Sequence, residues 1–350
     1  MTLCNARFFR FSLSRRVLYA TWAAMLAVAL IAPVEADEIN IYSARHYDTD
    51  MALYQTFTER TGIQVNLIEG SSDALIERLV NEGAYTRADM LITVDAGRLW
   101  RAAERDILQP IESEIMEQRV PEHLRHPDGL WFGLSKRARV IAINKDLALG
   151  APVTRYEDLA REDLRGRVCM RSSSNIYNLS LMASLIAATD NATATAWAEA
   201  VVANFARNPQ GNDTAQLRAV ASGECGLTIA NTYYLGRLLG SAADKDNAVM
   251  ANLSVIFPNQ VDRGTHINIS GAGITKHAPN RDNAIAFLEY LTSPYAQRLF
   301  AEGNNEYPVI GDTSGPVAEL GAFVEDDLDA SQLGVLQTEA LMAFDRAGWP

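Results

Sequence analysis

Three short polar segments of this sequence combine tyrosine with other side chains that bind metal ions or anions. Each follows a predicted strand and precedes a predicted helix, which is where ligands of open α/β sheets usually bind. The segments are Arg45-His46-Tyr47-Asp48-Thr49, Arg171-Ser172-Ser173-Ser174-Asn175-Ile176-Tyr177 and Asn231-Thr232-Tyr233-Tyr234. If their strand ends meet, four phenols and the imidazole of His46 surround one point. We also expect Asp48 or Thr49 to cap the helix that follows the first segment.

Four phenols at one point would suit a small, highly charged metal ion. A phenol has a pKa of about 10 and binds most cations poorly at neutral pH. A cation such as Fe³⁺ displaces the phenolic proton, and a helix N-terminus stabilises the phenolate. Four phenolates around Fe³⁺ carry a single net negative charge, which a nearby arginine would offset. We predict that Arg237, one helical turn after Tyr234, and Arg137 provide this charge balance from outside the ligand shell.

The same residues allow simpler interpretations. A tyrosine at a strand end often packs with its hydroxyl in water, and His46 would then be a hydrogen-bonded surface residue. The serine-rich residues 172–175 would be a helix cap or a nest for a carboxylate or phosphate. A carrier of a small organic or anionic solute is therefore the alternative function. The sequence shows no Ser/His/Asp grouping, metal-hydrolase motif or P-loop, so we expect no enzyme and interpret His266 as hinge structure.

The elements that would position these segments alternate between strand and helix. Strands are predicted at 39–42, 65–68 and 89–94, with helices at 50–61 and from Ser72 onward. A second series starts near Val168, with helices at about 176–189, 192–206 and 213–222, and later helices at 283–291 and after Ser293-Pro294. Such alternation predicts an α/β fold of two lobes, each with a mostly parallel sheet. The chain would cross between the lobes at 131–144 and at 255–274. The first lobe would then consist of residues 37–136 plus about 268–315, and the second lobe of residues 137–267 plus about 316–350.

The first 36 residues have the order of a secretory signal peptide. Four arginines precede or enter an apolar run, and a small-residue site predicts cleavage after Ala36. The pair Arg15-Arg16 leaves both the general secretory and the twin-arginine route open. Removing four Arg and one Glu with the leader changes the net charge from -12 to about −15. We expect a periplasmic, monomeric protein that binds neither nucleic acid nor an anionic membrane.

The mature chain keeps two cysteines, Cys169 and Cys225, both in short apolar runs that read as strands. Export permits a disulfide between neighbouring strands. Two buried free thiols remain the alternative, because two cysteines in a sequence fix no geometry.

Several motifs together resemble the ferric-iron-binding periplasmic proteins of iron ABC transporters, and in particular their Fut-type, iron-deficiency-induced branch. The resemblance extends from about residue 38 to the C-terminus. It is carried by Ile41-Tyr42-Ser43-Ala44-Arg45-His46-Tyr47, Glu82-Gly83-Ala84 with Ala88-Asp89, Trp131-Phe132-Gly133, Lys136-Arg137-Ala138-Arg139-Val140, Val168-Cys169-Met170-Arg171-Ser172-Ser173-Ser174-Asn175 with Tyr177, Asn208-Pro209-Gln210-Gly211-Asn212-Asp213-Thr214, Ala230-Asn231-Thr232-Tyr233-Tyr234 and Phe257-Pro258-Asn259-Gln260.

The resemblance implies a type II periplasmic-binding fold whose two lobes close over Fe³⁺, and an inner-membrane iron ABC permease as partner. We expect the site to tolerate Fe²⁺ as well. At matching positions the metal ligands would be His46, Tyr47, Tyr177, Tyr233 and Tyr234. Related proteins that use a synergistic phosphate have a carboxylate ligand near Thr93-Val94. Here the carboxylate is displaced by one position to Asp95, so we do not expect a required anion.

Overall fold

A ten-stranded mixed sheet forms the centre of residues Glu38–Pro350, and helices pack against it. The computed structural model describes residues 1–2, 37–45 and 47–350. The signal peptide predicted within residues 1–36, and His46, therefore lie outside the described residues, apart from residues 1–2. The strands are β1 (Glu38–Ser43), β2 (Gln64–Glu69), β3 (Met90–Val94), β4 (Leu108–Gln109), β5 (Phe132–Asn144), β6 (Val168–Cys169), β7 (Leu227–Asn231), β8 (Leu253–Ile256), β9 (Ile267–Thr275) and β10 (Tyr307–Pro308).

The helices of the described chain follow the alternation that the sequence predicts. They are α1 (Asp50–Thr61), α2 (Ser72–Glu82), α3 (Ala96–Glu104), α4 (Glu114–Arg119), α5 (Ile176–Ala188), α6 (Asn191–Ala203), α7 (Asp213–Ala221), α8 (Thr232–Leu239), α9 (Asp244–Ala251), α10 (Arg281–Leu291), α11 (Pro294–Asn304), α12 (Gln332–Val335) and α13 (Gln337–Arg346). None of the helices in this part of the chain combines the length and the apolar character that a membrane crossing requires.

The sheet has two halves that share strand β5. In the first half, β2, β1 and β3 are parallel, and β9 runs antiparallel to both β3 and the start of β5. In the second half, the end of β5 pairs with β7 and β8, and β6 lies parallel to β7. The buried side chains Ile39 and Ile41 of β1 pack in the same core as Leu75 and Leu79, which form the apolar face of α2. The result is the α/β fold that the sequence predicts. The expectation of a mostly parallel sheet in each lobe is wrong for the second half, because β5 crosses into it and pairs antiparallel with both β7 and β8.

The long strand β5 passes from one half of the sheet to the other, as the sequence predicts for the first crossover. Its residues up to Ala138 pair with β9, and its residues from Arg139 onward pair with β7. Within the second predicted crossover, β8 pairs with the end of β5 in the second half, whereas β9 pairs with β3 and the start of β5 in the first half. The chain therefore returns to the first half between β8 and β9, in the middle of the predicted range. Close approach of the strands requires glycine at Gly271, where a Cβ would lie 2.6 Å from the Phe132 carbonyl oxygen. Residues Glu38–Pro350 pack as one compact unit, so the lobe boundaries stay a prediction.

Local signals set several helix ends. Helix α1 stops at Gly62, whose φ of 78° is a left-handed conformation that glycine adopts freely. Ser293 caps α11 by accepting a hydrogen bond from the Ala296 N–H, and Pro294 occupies its first turn, as predicted. The predicted side-chain cap of α1 is wrong. Thr49 occupies the N-cap position but already has helical backbone angles, and its hydroxyl donates to Asn304 Oδ1 instead.

A disulfide joins Cys169 at the end of β6 to Cys225 just before β7, with their Cα atoms 5.8 Å apart. The bond decides between the two states of the cysteines that the sequence left open. It ties together two neighbouring strands whose carboxyl ends lead to Tyr177 and to Tyr233.

Candidate functional site

Tyr47 lies in the segment that follows β1, between two arginines. The guanidinium carbon of Arg45 is 4.8 Å from the centre of the Tyr47 ring, and that of Arg237 is 5.3 Å from it. Burial raises the pKa of the Tyr47 phenol, and the Glu306 carboxylate raises it further, although both arginines oppose this shift. The phenol is therefore neutral at physiological pH. Arg237 belongs to α8, so this contact connects a residue next to the first half of the sheet with a helix that follows the second half.

Three further phenols meet at the first turns of α5 and α8. The Tyr233 hydroxyl donates to the Tyr177 hydroxyl at 3.4 Å, and the Tyr233 and Tyr234 rings are 4.2 Å apart. Strand β7 runs directly into α8, which places Tyr233 and Tyr234 beside a helix N-terminus that stabilises negative charge. Burial raises the pKa of Tyr233, as do the neighbouring phenols, and burial also raises the pKa of Tyr234.

The Arg237 guanidinium contacts tyrosine rings from two of the three segments. Its guanidinium carbon lies 5.1 Å from the Tyr233 ring, 5.8 Å from the Tyr234 ring and 5.3 Å from the Tyr47 ring. Across residues 37–45 and 47–350 no carboxylate pairs with Arg237. Arg137, on β5, is fully buried and lies 5.3 Å from the Tyr177 ring, where it donates to Ser270 Oγ and to the Ile269 carbonyl. Both arginines singled out from the sequence therefore contact the tyrosine cluster.

Two buried carboxylates that sequence reasoning missed balance the other arginines. Glu306 accepts a hydrogen bond from Arg45 at 2.9 Å, and Asp213 accepts bonds from Arg139 and Arg171, both at 3.0 Å. Asp213 lies in one of the motifs that carry the family resemblance, and this position could have marked it as a candidate site residue. Nothing in the local sequence marks Glu306, because its burial depends on strands distant along the chain.

Arg171 and the serine-rich run of the second segment have structural roles in the described chain. The Arg171 guanidinium carbon lies 5.7 Å from the Tyr177 ring while Arg171 pairs with Asp213. The amides of residues 173–175 already donate within the protein, to the Pro350 carbonyl, the Ser172 hydroxyl and the Ser172 carbonyl. This leaves the serine-rich run as a turn into α5 rather than a free anion nest. His46 lies outside the described residues.

Asp95 and His266 are also engaged away from the phenols. Asp95 caps α3 through the Gly97 N–H and accepts hydrogen bonds from Ser180 and Asn268. His266 is buried, and burial together with neighbouring arginines lowers its pKa to about 3, so its imidazole is neutral. Within the described residues no three His, Cys, Asp or Glu side chains are grouped for a metal ion. Among the described residues, the oxygen donors that converge are therefore phenols.

Comparisons with known proteins agree with this arrangement. The family model "Bacterial extracellular solute-binding protein" matches residues 52–319. The chain is 52% identical to Iron uptake protein A1 of Synechocystis sp. over 91% of this chain and 89% of the relative. It is 48% identical to Iron uptake protein A2 of the same organism over 96% of this chain and 99% of the relative.

The likeness extends to solved structures. A structure of Trichodesmium FutA (IdiA) in complex with iron and citrate ligands matches with a TM-score of 0.87 and 52% identity, covering 89% of this chain and 100% of that one. The family that the sequence motifs indicated is thereby confirmed, as is its two-lobed fold. The chain belongs to the bacterial extracellular solute-binding protein family and is a homologue of the FutA iron uptake proteins.

Proposed function

We propose that this protein is the exported solute-binding component of an iron ABC transporter, which binds Fe³⁺ through phenolates and delivers it to an inner-membrane permease. The observation that carries the proposal is the convergence of Tyr47, Tyr233 and Tyr234 around Arg237, with the Tyr177 hydroxyl 3.4 Å from the Tyr233 hydroxyl. His46, next to Tyr47, is the fifth proposed ligand on the strength of the family resemblance. The protein acts as a monomer in the periplasm after cleavage behind Ala36, and it also accepts Fe²⁺ more weakly.

The acid–base state of the phenols favours a trivalent cation. Burial keeps Tyr47, Tyr233 and Tyr234 protonated when the site is empty, since it raises the pKa of each. A metal ion must displace these protons, and only a small ion of high charge gains enough from phenolate oxygen to do so. Fe³⁺ meets this requirement better than divalent cations.

The charges around the phenols support the same choice. Arg45 pairs with Asp50 and Glu306, and Arg171 shares Asp213 with Arg139, so each of these guanidiniums already has a carboxylate partner. Arg237 has no carboxylate partner among the residues described, and its charge matches the single negative charge of Fe³⁺ with four phenolates. A carrier of small anions would instead need several unpaired arginines, so this alternative is less well supported.

The proposed role in transport rests on the relatives and on charge. Two relatives that match nearly the whole chain are named iron uptake proteins, and the structure of a third relative contains iron and citrate. The mature chain would carry a net charge of about −15, which favours the approach of cations. Its chemistry is binding and release without a catalytic step.

Addition of ferric citrate to the purified, iron-free protein tests the site. We expect a visible absorption band from tyrosinate-to-iron charge transfer, with metal analysis giving about one iron per chain. Tyr234→Phe removes one phenolate and should weaken and shift the band. Tyr295→Phe makes the same chemical change on α11 and should leave the band unchanged, because Tyr295 is partly exposed and contacts Thr56 and Tyr290 instead.

A colourless mixture, or a band that Tyr234→Phe does not alter, would refute the tyrosinate site. A thermal-shift screen of organic acids and inorganic anions without iron tests the alternative function, a carrier of small organic or anionic solutes. Stabilisation by one of these anions, with none by iron, would favour the anion carrier.

A further inference from the structure

Glu306 is a fully buried carboxylate beside the proposed iron site, although it is not one of the proposed ligands. It lies between α11 and β10 and accepts hydrogen bonds from Arg45 Nη1 at 2.9 Å and Ser135 Oγ at 2.7 Å. Arg137 Nη1 is 4.0 Å from its other oxygen. Burial alone would raise the pKa of Glu306, but Arg45, Arg137 and the Ser135 hydroxyl outweigh it and lower the pKa, so the group is ionised at neutral pH.

Each arginine that faces Glu306 also faces a proposed iron ligand. The Arg45 guanidinium lies 4.8 Å from the Tyr47 ring, and the Arg137 guanidinium lies 5.3 Å from the Tyr177 ring. Tyr47 follows the first half of the sheet, whereas Tyr177 follows β6 in the second half. One carboxylate therefore pairs closely with Arg45 and lies 4.0 Å from Arg137, and these two guanidiniums contact phenols from both halves.

The buried charges of this group cancel. Arg45 and Arg137 carry two positive charges, and Asp50 and Glu306 carry two negative charges, with Asp50 2.9 Å from Arg45. Loss of the Glu306 charge would leave one unbalanced positive charge next to Tyr47 and Tyr177. The Fe²⁺ complex of four phenolates is one unit more negative than the Fe³⁺ complex, so an added positive charge stabilises it more.

We propose that Glu306 is a positioning and specificity-determining residue that holds Arg45 and Arg137 and thereby sets the preference of the site for Fe³⁺ over Fe²⁺. This inference rests on the proposed tyrosinate iron site and goes beyond it. The residue acts through the arginines, since its own oxygen atoms bond to guanidinium and hydroxyl groups.

The test measures ferric preference, defined as the dissociation constant for Fe²⁺ divided by that for Fe³⁺. Fe³⁺ binding is measured in air by competition with citrate, and Fe²⁺ binding without oxygen by competition with a ferrous chelator. Glu306→Gln keeps the shape of the side chain but removes its charge. We expect the ferric preference to fall on the order of tenfold, as for a unit charge about 10 Å away at an effective dielectric constant of about 20.

Two further variants give the sign of the effect. Arg45→Gln leaves one excess negative charge, so the ferric preference should rise. The double variant Arg45→Gln with Glu306→Gln restores neutrality and should return the preference towards that of the wild type. If Glu306→Gln does not fold, the rise in Arg45→Gln and the return in the double variant still test the proposal. Glu302→Gln is the matched control, because it removes an exposed carboxylate from the same region.

A ferric preference that moves in the same direction in both single variants, or stays unchanged in both, overturns the role of Glu306. The charge-transfer band separates this failure from failure of the proposed function. If the wild type shows no band, the iron site itself is wrong. If the wild type shows the band and the preferences do not diverge, only the inference about Glu306 fails.

Discussion

At the scale of single residues, His266 combines complete burial with a pKa far from its ordinary value. Burial contributes most, and the positive charges of Arg139, Arg137 and Arg263 add to it, lowering the pKa to about 3. In the unfolded chain the pKa of a histidine is about 6.5. Between these two values the unfolded state holds more protons than the folded state, so stability falls as the pH falls through this window.

His266→Gln should therefore make the protein less sensitive to acid. From pH 6.5 to pH 5 the wild type should lose about 2 kcal/mol of unfolding free energy through His266, and the variant should not lose this contribution. Urea unfolding of the iron-free protein at pH 7, 6 and 5 measures the slope. His277→Gln, at an exposed position, is the control and should keep the wild-type slope. Equal slopes for all three proteins would contradict the argument.

At the scale of secondary-structure elements, the disulfide connects β6 to the segment before β7. The bonded cysteines are 56 residues apart in sequence. Closing a loop of this length in the unfolded chain removes conformational entropy, which corresponds to about 4 kcal/mol in the chain-entropy description. The stabilisation measured for engineered and natural disulfides is commonly somewhat smaller than this value.

The double variant Cys169→Ala with Cys225→Ala should lower the free energy of unfolding by about 2 to 4 kcal/mol. Urea denaturation without reductant measures the difference. Reductant should destabilise the wild type by a similar amount and leave the variant unchanged. Two alkylatable thiols in unreduced wild-type protein would show that the bridge is not formed in solution.

The elements also show what can be predicted from sequence. Helix α1 matches its predicted bounds because Gly62 marks its end, and α11 starts where Ser293-Pro294 predicts. The four tyrosines were identifiable because each lies in or next to a polar segment between a strand and the next helix, and ligands bind at such strand ends.

The charge partners of the site were not predictable, for a physical reason. Arg45 and Glu306 are 261 residues apart, and no local pattern reports that both are buried. Their pairing exists only once β1, β5 and the segment after α11 pack together. The missed side-chain cap of α1 has a similar origin, since the Thr49 hydroxyl bonds to Asn304 of a distant helix.

At the scale of the whole molecule, the tyrosine cluster requires the two halves to be close together. Arg237 contacts Tyr47 from the first half and Tyr233 from the second, both within 5.3 Å. In the empty site burial keeps the phenols of Tyr47, Tyr233 and Tyr234 neutral, and the Arg237 charge is unbalanced in the described chain. In the proposed complex, iron with four phenolates would supply the missing negative charge, so iron should stabilise the closed arrangement more than the open one.

Small-angle X-ray scattering of iron-free and iron-loaded protein tests this closure. The loaded protein should have a radius of gyration of about 20 Å, as expected for a compact chain of this length, and the iron-free protein should have a larger value. Tyr47→Phe removes the phenolate that the first half contributes. This variant should bind iron more weakly through the other three tyrosines and compact less. Tyr295→Phe should compact like the wild type. If the radius of gyration is the same with and without iron, Tyr47 and Arg237 are held together without cargo, and closure does not depend on iron.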